Sequence, residues 1–246
     1  MRKIFERAEV RTDLTRLARE RDVVSGHGAL LNFVNPDDAG DTPYELHIAR
    51  TGRVPTRTNP HDLFNAAVWL TFPRTKATLN ARQAQAIAVE TGDTGRRGAE
   101  RDAATLFDES GLILALAPGA SDDDVFSRIV AHDWAYVFLG QRARWHRDWV
   151  PWLVGHAVME KLVRPYAAIT VRVGVVVVDN GDPGDVAAVD AAAAAAFARG
   201  ASGSPAALPP MPVLGIPGWW PANESPGFYD DPIVFRPRHA GLPSAR

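Results

Sequence analysis

Between Pro55 and Asn80 the chain reads PTRTNPHDLFNAAVWLTFPRTKATLN, in which Arg57, Asn59, His61, Asp62, Asn65, Arg74, Lys76 and Asn80 surround one apolar helical stripe. A helix start offers free N–H groups and partial positive charge, so it favours an anion. Arg57 and Lys76 are therefore the candidate anion-binding residues, able to hold phosphate or carboxylate through charge-assisted hydrogen bonds. His61, Asp62 and Asn65 are the candidate catalytic groups, because an imidazole changes charge near neutral pH and a neighbouring carboxylate can take or return the proton. The plainer assignment stays open beside this one: Asn59 and Asp62 cap the helix, and His61 is solvated.

Three secondary groups come from spacing. His156 and Glu160 are four residues apart, hence on one face if helical, and could share a metal or exchange a proton, or else make a structural hydrogen bond at the edge of a helix core. Asp230 and Asp231 in the tail could ligate a metal, or else cap a turn or pair with Arg236. Asp108 and Glu109, just before Gly111, read as turn residues.

No cysteine is present, which excludes disulfides, thiolate metal sites, iron–sulfur clusters and a cysteine nucleophile. A divalent metal, of open identity, would sit on His, Asp, Glu or Asn. The phosphate-binding G-x-x-x-x-G-K, dinucleotide G-x-G-x-x-G, G-x-S-x-G and H-E-x-x-H patterns are all missing. Net charge is only -2, so no global field draws the chain to nucleic acid or an anionic membrane. The local balance is uneven: Arg50 to Arg101 holds nine Lys/Arg against four Asp/Glu, whereas Asp102 to Asp133 holds seven acids against Arg128 alone. One stretch could face an anion, its neighbour the first stretch or a cation.

These groups need elements to position them. Asn59 as N-cap, Pro60 at the first helical position and the spacing of Leu63, Phe64, Ala67, Val68 and Leu70 predict a helix that Pro73 stops. Helices are also expected at Leu14–Arg21, Lys76–Glu90, through Thr105, after a capping box at Ser121–Asp124, over Trp149–Arg164 and near Ala187–Ala198. GLILALA and Ile169–Val178 read as buried strands, and Tyr44–Arg57, broken at Thr51-Gly52, as a hairpin. The fold class is thus mixed α and β, helix-rich with a small sheet. A proline-rich C-terminal tail, 213–237, is expected to wrap the body, because its aromatic residues are too many to leave in water. Residues 1–246 read as one domain, with a low-complexity linker or variable stretch near 180–212. The N-terminus lacks the apolar run of a signal peptide and no segment is apolar enough to span a membrane, so a cytoplasmic address and no membrane contact are expected.

PTRTNPHDLFNAAVWLTFPRTKATLN, ERDAATLFDESGLILAL, GHAVMEKLVRPY and PVLGIPGWWPANESPGFYDDPIVFRP together resemble a bacterial family catalogued as domain of unknown function 3025. The resemblance implies a bacterial protein whose tail belongs with its central helices, and it implies no activity. A hairpin followed by a helix bearing His and Asn is also similar to the ββα-metal nucleases, with His47 as base and His61 and Asn65 near a metal. The leading expectation is an enzyme that hydrolyses a phosphorylated or other anionic small substrate by acid/base chemistry, with or without a metal. A non-catalytic protein that binds a ligand or partner through exposed tryptophans is the alternative, and a nuclease the third reading. Nucleic acid is not the expected partner, a small anionic ligand is, and oligomeric state is open.

Overall fold

The computed structural model describes residues 7–38, 40–90, 98–120, 124–179, 181–201 and 203–237. The chain is mixed α and β, with more helix than strand. Its order is α1 (Arg7–Glu20), β1 (Asn32–Val34), α2 (Tyr44–Thr51), β2 (Arg53–Pro55), α3 (Pro60–Thr71), α4 (Pro73–Glu90), α5 (Ala99–Ser110) and β3 (Gly111–Leu116). Then come α6 (Asp124–Ala131), β4 (Trp149–Leu153), α7 (His156–Leu162), β5 (Thr170–Val177), α8 (Val186–Ala198) and β6 (Pro210–Pro212). Ser121, the start of the expected capping box, lies outside the described residues.

Strands run in the order β4-β3-β5-β6, with β3 parallel to β5 and antiparallel β4 and β6 on the edges. Every residue of β3 is buried, as expected of a central strand covered on both faces. Leu112, Leu114, Val171 and Val173 meet the C-terminal segment on one face, where Leu214, Ile216, Tyr229, Val234 and Phe235 complete the core. Ile113, Ala115 and Val176 meet Phe107 of α5, Leu79 of α4 and Phe197 of α8 on the other. Both edge strands carry prolines, Pro151 on β4 and Pro210 and Pro212 on β6. Missing N–H groups there leave no central ladder bond unmade and discourage pairing with another chain.

Two expected elements differ. Tyr44–Arg57 is no hairpin but α2 followed by β2, which pairs in parallel with β1. The Thr51-Gly52 break is a helix end: Gly52 has φ 68° and its N–H donates to Ile48 O, and a Cβ there would lie 2.2 Å from Leu30 O. Trp149–Arg164 is not one helix but β4 and α7: residues 149–153 pair with β3, and Gly155 allows a sharp approach described below.

Helix α8 supplies a cap to another helix. Asp190 is buried, and its two carboxylate oxygens accept from the Arg74 and Thr75 N–H groups at 3.0 and 2.8 Å, so α8 caps the start of α4. Asp190→Ala should lower unfolding free energy by about 2 kcal/mol, since two first-turn donors lose a charged acceptor away from water. Urea unfolding checks this, and a loss below about 0.5 kcal/mol would mean the cap is dispensable.

Candidate active site

Helices α2, α3, α4, α5 and α7 converge on a cleft of about 330 Å³ whose lining includes Tyr44, Glu45, Arg57, His61, Asp62, Asn65, Asp108, Glu109 and His156. The start of α3 is set locally. Asn59 accepts from the Asp62 N–H at 2.7 Å, as its cap role requires. Asp62 then turns its own carboxylate to the Arg57 N–H (2.6 Å) and Nε (3.0 Å), which fixes Arg57 at the cleft mouth with its side chain 68% exposed.

His156 arrives by a backbone contact. The N–H groups of Val154 and Gly155 both donate to Gly111 O, where α5 gives way to β3. A Cβ on Gly155 would sit 2.4 Å from Ser110 Cα, so only glycine admits this approach. The result sets His156, first residue of α7, beside Asp108 and Glu109 at the end of α5.

His61 and His156 meet edge to face, with their Nε2 atoms 3.1 Å apart. On the far side of each ring is a carboxylate: Glu160 Oε2 lies 3.1 Å from His61 Nδ1, and Asp108 Oδ2 lies 3.8 Å from His156 Nδ1. Glu160 favours the Nδ1–H tautomer of His61, which turns the His61 Nε2 lone pair towards His156 Nε2; His156 Nδ1 has no hydrogen-bond partner, so His156 can present either an N–H or a lone pair across that 3.1 Å gap. A cation between the rings would be met by both Nε2 lone pairs. Glu109 Oε2 is 3.8 Å from His156 Nε2, and ligand atoms of His61, His156 and Glu109 all lie within 4.8 Å of one another. This His/Glu/His group could hold a metal ion. Burial, helped by the Lys76 charge, pushes the His156 imidazole below its ordinary value against the pull of Asp108, so the ring is held neutral, the form that ligates.

Beneath the cleft Lys76 is buried, with Nζ 2.5 Å from Asp108 Oδ1, 2.9 Å from Asn65 Oδ1 and 5.1 Å from the centre of the Trp69 ring. Burial alone would raise the Asp108 carboxyl, but Lys76 and His156 outweigh it and hold the group below the usual carboxylate range. Glu45, packed among these acids and bonded by Asn80 Nδ2 at 2.7 Å, is pushed up to about 7, first by burial and then by Asp108.

Of the residues singled out from sequence, the structure brings His61, Asp62, Asn65, Arg57 and His156 to one cleft, with Glu160 on the outer side of His61. Lys76 lies under the floor, occupied by Asp108 and Asn65, so an anion in the cleft cannot reach its ammonium directly. Asp230 and Asp231 are remote; an Asp231 oxygen accepts from Ile233 N–H in a local turn. His47 is buried in α2 and does not line the cleft, so the hairpin and base of the nuclease analogy are both missing. Asp108 and Glu109, which read from sequence as turn residues, belong to the last turn of α5 and face His156. Their one sequence signal was the acidic balance after Asp102.

Residues 31–239 match the family described as Protein of unknown function (DUF3025). The chain belongs to that family. The match takes in every helix that lines the cleft, together with the C-terminal segment. No curated protein and no solved structure matches the chain. No helix among the described residues is long and apolar enough to cross a membrane.

Proposed function

We propose that this DUF3025 protein is a metal-dependent hydrolase of small anionic esters, phosphorylated ones foremost. The observation that carries the reading is the pair of Nε2 atoms 3.1 Å apart, with Glu160 on His61 Nδ1 and Glu109 alongside. Two imidazoles and one carboxylate form a donor set suited to Zn2+ in a catalytic site, where further positions stay open to water or substrate. His61 and Glu109 are partly exposed while His156 is 4% exposed, so the group opens towards the cleft on one side only.

When bound, Zn2+ would supply a Lewis acid and a water that ionises near neutral pH. The chain's own residues do the rest. Asp62 holds Arg57 by its backbone N–H and Nε, leaving the terminal guanidinium N–H groups for an incoming oxyanion. Glu160, on His61 Nδ1 and 46% exposed, orients that ring and can pass a proton to solvent. The binding-protein alternative lacks its expected feature: no tryptophan is among the exposed large apolar residues.

The test is Zn2+-loaded protein assayed on p-nitrophenyl phosphate, bis-(p-nitrophenyl) phosphate and the uncharged p-nitrophenyl acetate. Turnover of a phosphoester and not of the acetate is expected. Arg57→Ala should raise KM about tenfold with an unchanged melting temperature, because an exposed arginine adds little stability whereas a charge-assisted contact is worth about 1.5 kcal/mol or more. Equal turnover of the acetate, or indifference to Arg57→Ala, would contradict the reading.

A further inference from the structure

A directed hydrogen-bond chain runs from the buried ion pair into the cleft. Lys76 Nζ has only donors, so the Asn65 atom 2.9 Å from it must be the carbonyl Oδ1. The orientation of the Asn65 amide is thereby fixed, and its Nδ2 points at Tyr44, donating to the phenol oxygen at 3.2 Å. Tyr44 accepts in that bond. Its own hydroxyl hydrogen has no acceptor among the described residues, and Tyr44 lines the cleft together with His61, Glu109 and His156. We infer that Tyr44 is a catalytic hydrogen-bond donor, aimed by Asn65 at an oxygen of the anionic substrate held in this cleft.

The inference rests on the hydrolase reading for its substrate and adds, beside Arg57, a second group of the same cleft that would contact the oxyanion. Such a donor acts where charge develops during acyl or phosphoryl transfer, and is effective because it is fixed before the reaction. Asn65 is a positioning residue, and Lys76 with Asp108 sets its direction. Supporting this, burial and the neighbouring acids Glu45, Asp108 and Asp62 push the Tyr44 hydroxyl well above its ordinary value, so it stays a phenol and keeps the proton to donate. Tyr44 is 41% exposed overall, which leaves room for a ligand beside the ring and makes Tyr44→Phe a mild change for the fold.

Two calorimetric titrations separate the inference from the reading beneath it: Zn2+ into the protein, then inorganic phosphate into the Zn2+-loaded protein. Tyr44→Phe should leave Zn2+ affinity within about twofold of the wild type and weaken phosphate about tenfold, as expected for one hydrogen bond to a charged partner. Asn65→Asp offers acceptors alone, so it draws the Tyr44 proton inward; adding Tyr44→Phe to Asn65→Asp should then change phosphate affinity less than about twofold. Unchanged phosphate binding in Tyr44→Phe would overturn the donor role. An equal loss from Tyr44→Phe in both backgrounds would overturn the positioning by Asn65. A wild type that takes up no Zn2+ defeats the hydrolase reading alone; phosphate titrated into the metal-free protein then decides Tyr44, and absence of a phosphate response to Tyr44→Phe overturns the inference there too.

Discussion

His61→Ala should reduce Zn2+ affinity on the order of a hundredfold or more, about 2.7 kcal/mol, while leaving the fold intact. Each half of that expectation has a separate cause. The His61 side chain is 35% exposed, lying at the cleft between the exposed Glu160 and the buried His156, so its loss opens no core cavity. Its Nε2, however, supplies one of the three donor atoms that come within 4.8 Å. Glu160→Gln should have a smaller effect, about tenfold, since an amide can accept from Nδ1–H but no longer raises the ring's basicity by its charge. Activity on the phosphoester should fall with the metal and return in part at saturating Zn2+ for Glu160→Gln only. Equal Zn2+ affinity in His61→Ala and wild type would remove His61 from the site.

Lys76→Met should lower unfolding free energy by about 3–5 kcal/mol near neutral pH, because it strands the Asp108 carboxylate inside the protein. The pH dependence has a definite sign. In the wild type Lys76 depresses the Asp108 carboxyl, so the pair's stabilisation is present above the unfolded carboxylate range and is lost as pH falls through the lower folded value. In Lys76→Met burial dominates and the folded value lies above the unfolded one, so the penalty grows as pH rises out of the acid range. The difference between the two proteins is therefore greatest at neutral pH and shrinks towards pH about 4. Lys76→Met with Asp108→Leu should recover much of the loss, since replacing both partners removes the stranded charge. Urea midpoints at three pH values check all of this; a pH-independent difference would point to lost packing on Trp69 instead.

What could be read from sequence was what is decided locally. The α3 start is such a case: Asn59, Pro60 and Asp62 are neighbours, and cap, first turn and dipole act over one turn. The excess of polar groups around His61 was also legible, yet not their partners, because Asp108 meets Lys76 across 32 residues and His156 meets His61 across 95. Beyond the acidic balance after Asp102, Glu109 gave no sign of its partners, since its neighbourhood depends on Gly155 closing against Ser110 and Gly111, a contact between distant segments. Asp190 lies in an alanine-rich stretch with no local partner, and its acceptors serve another helix's first turn. The misread segments have the same origin. WVPWL is apolar enough for helix or strand, and only pairing with β3 decides it. YELHIART alternates imperfectly, and its Gly52 serves equally to turn a hairpin or to end a helix.

The central claim is that two histidines and a glutamate of one cleft hold a divalent metal. Zn2+ titrated by calorimetry into the metal-free full chain, alongside His61→Ala, His156→Ala and Glu109→Ala, tests it most directly. The expected result is one Zn2+ per wild-type chain, with weaker binding in each variant by about tenfold or more. Wild-type protein that binds no Zn2+, or three variants that bind it as tightly as the wild type, would contradict the account.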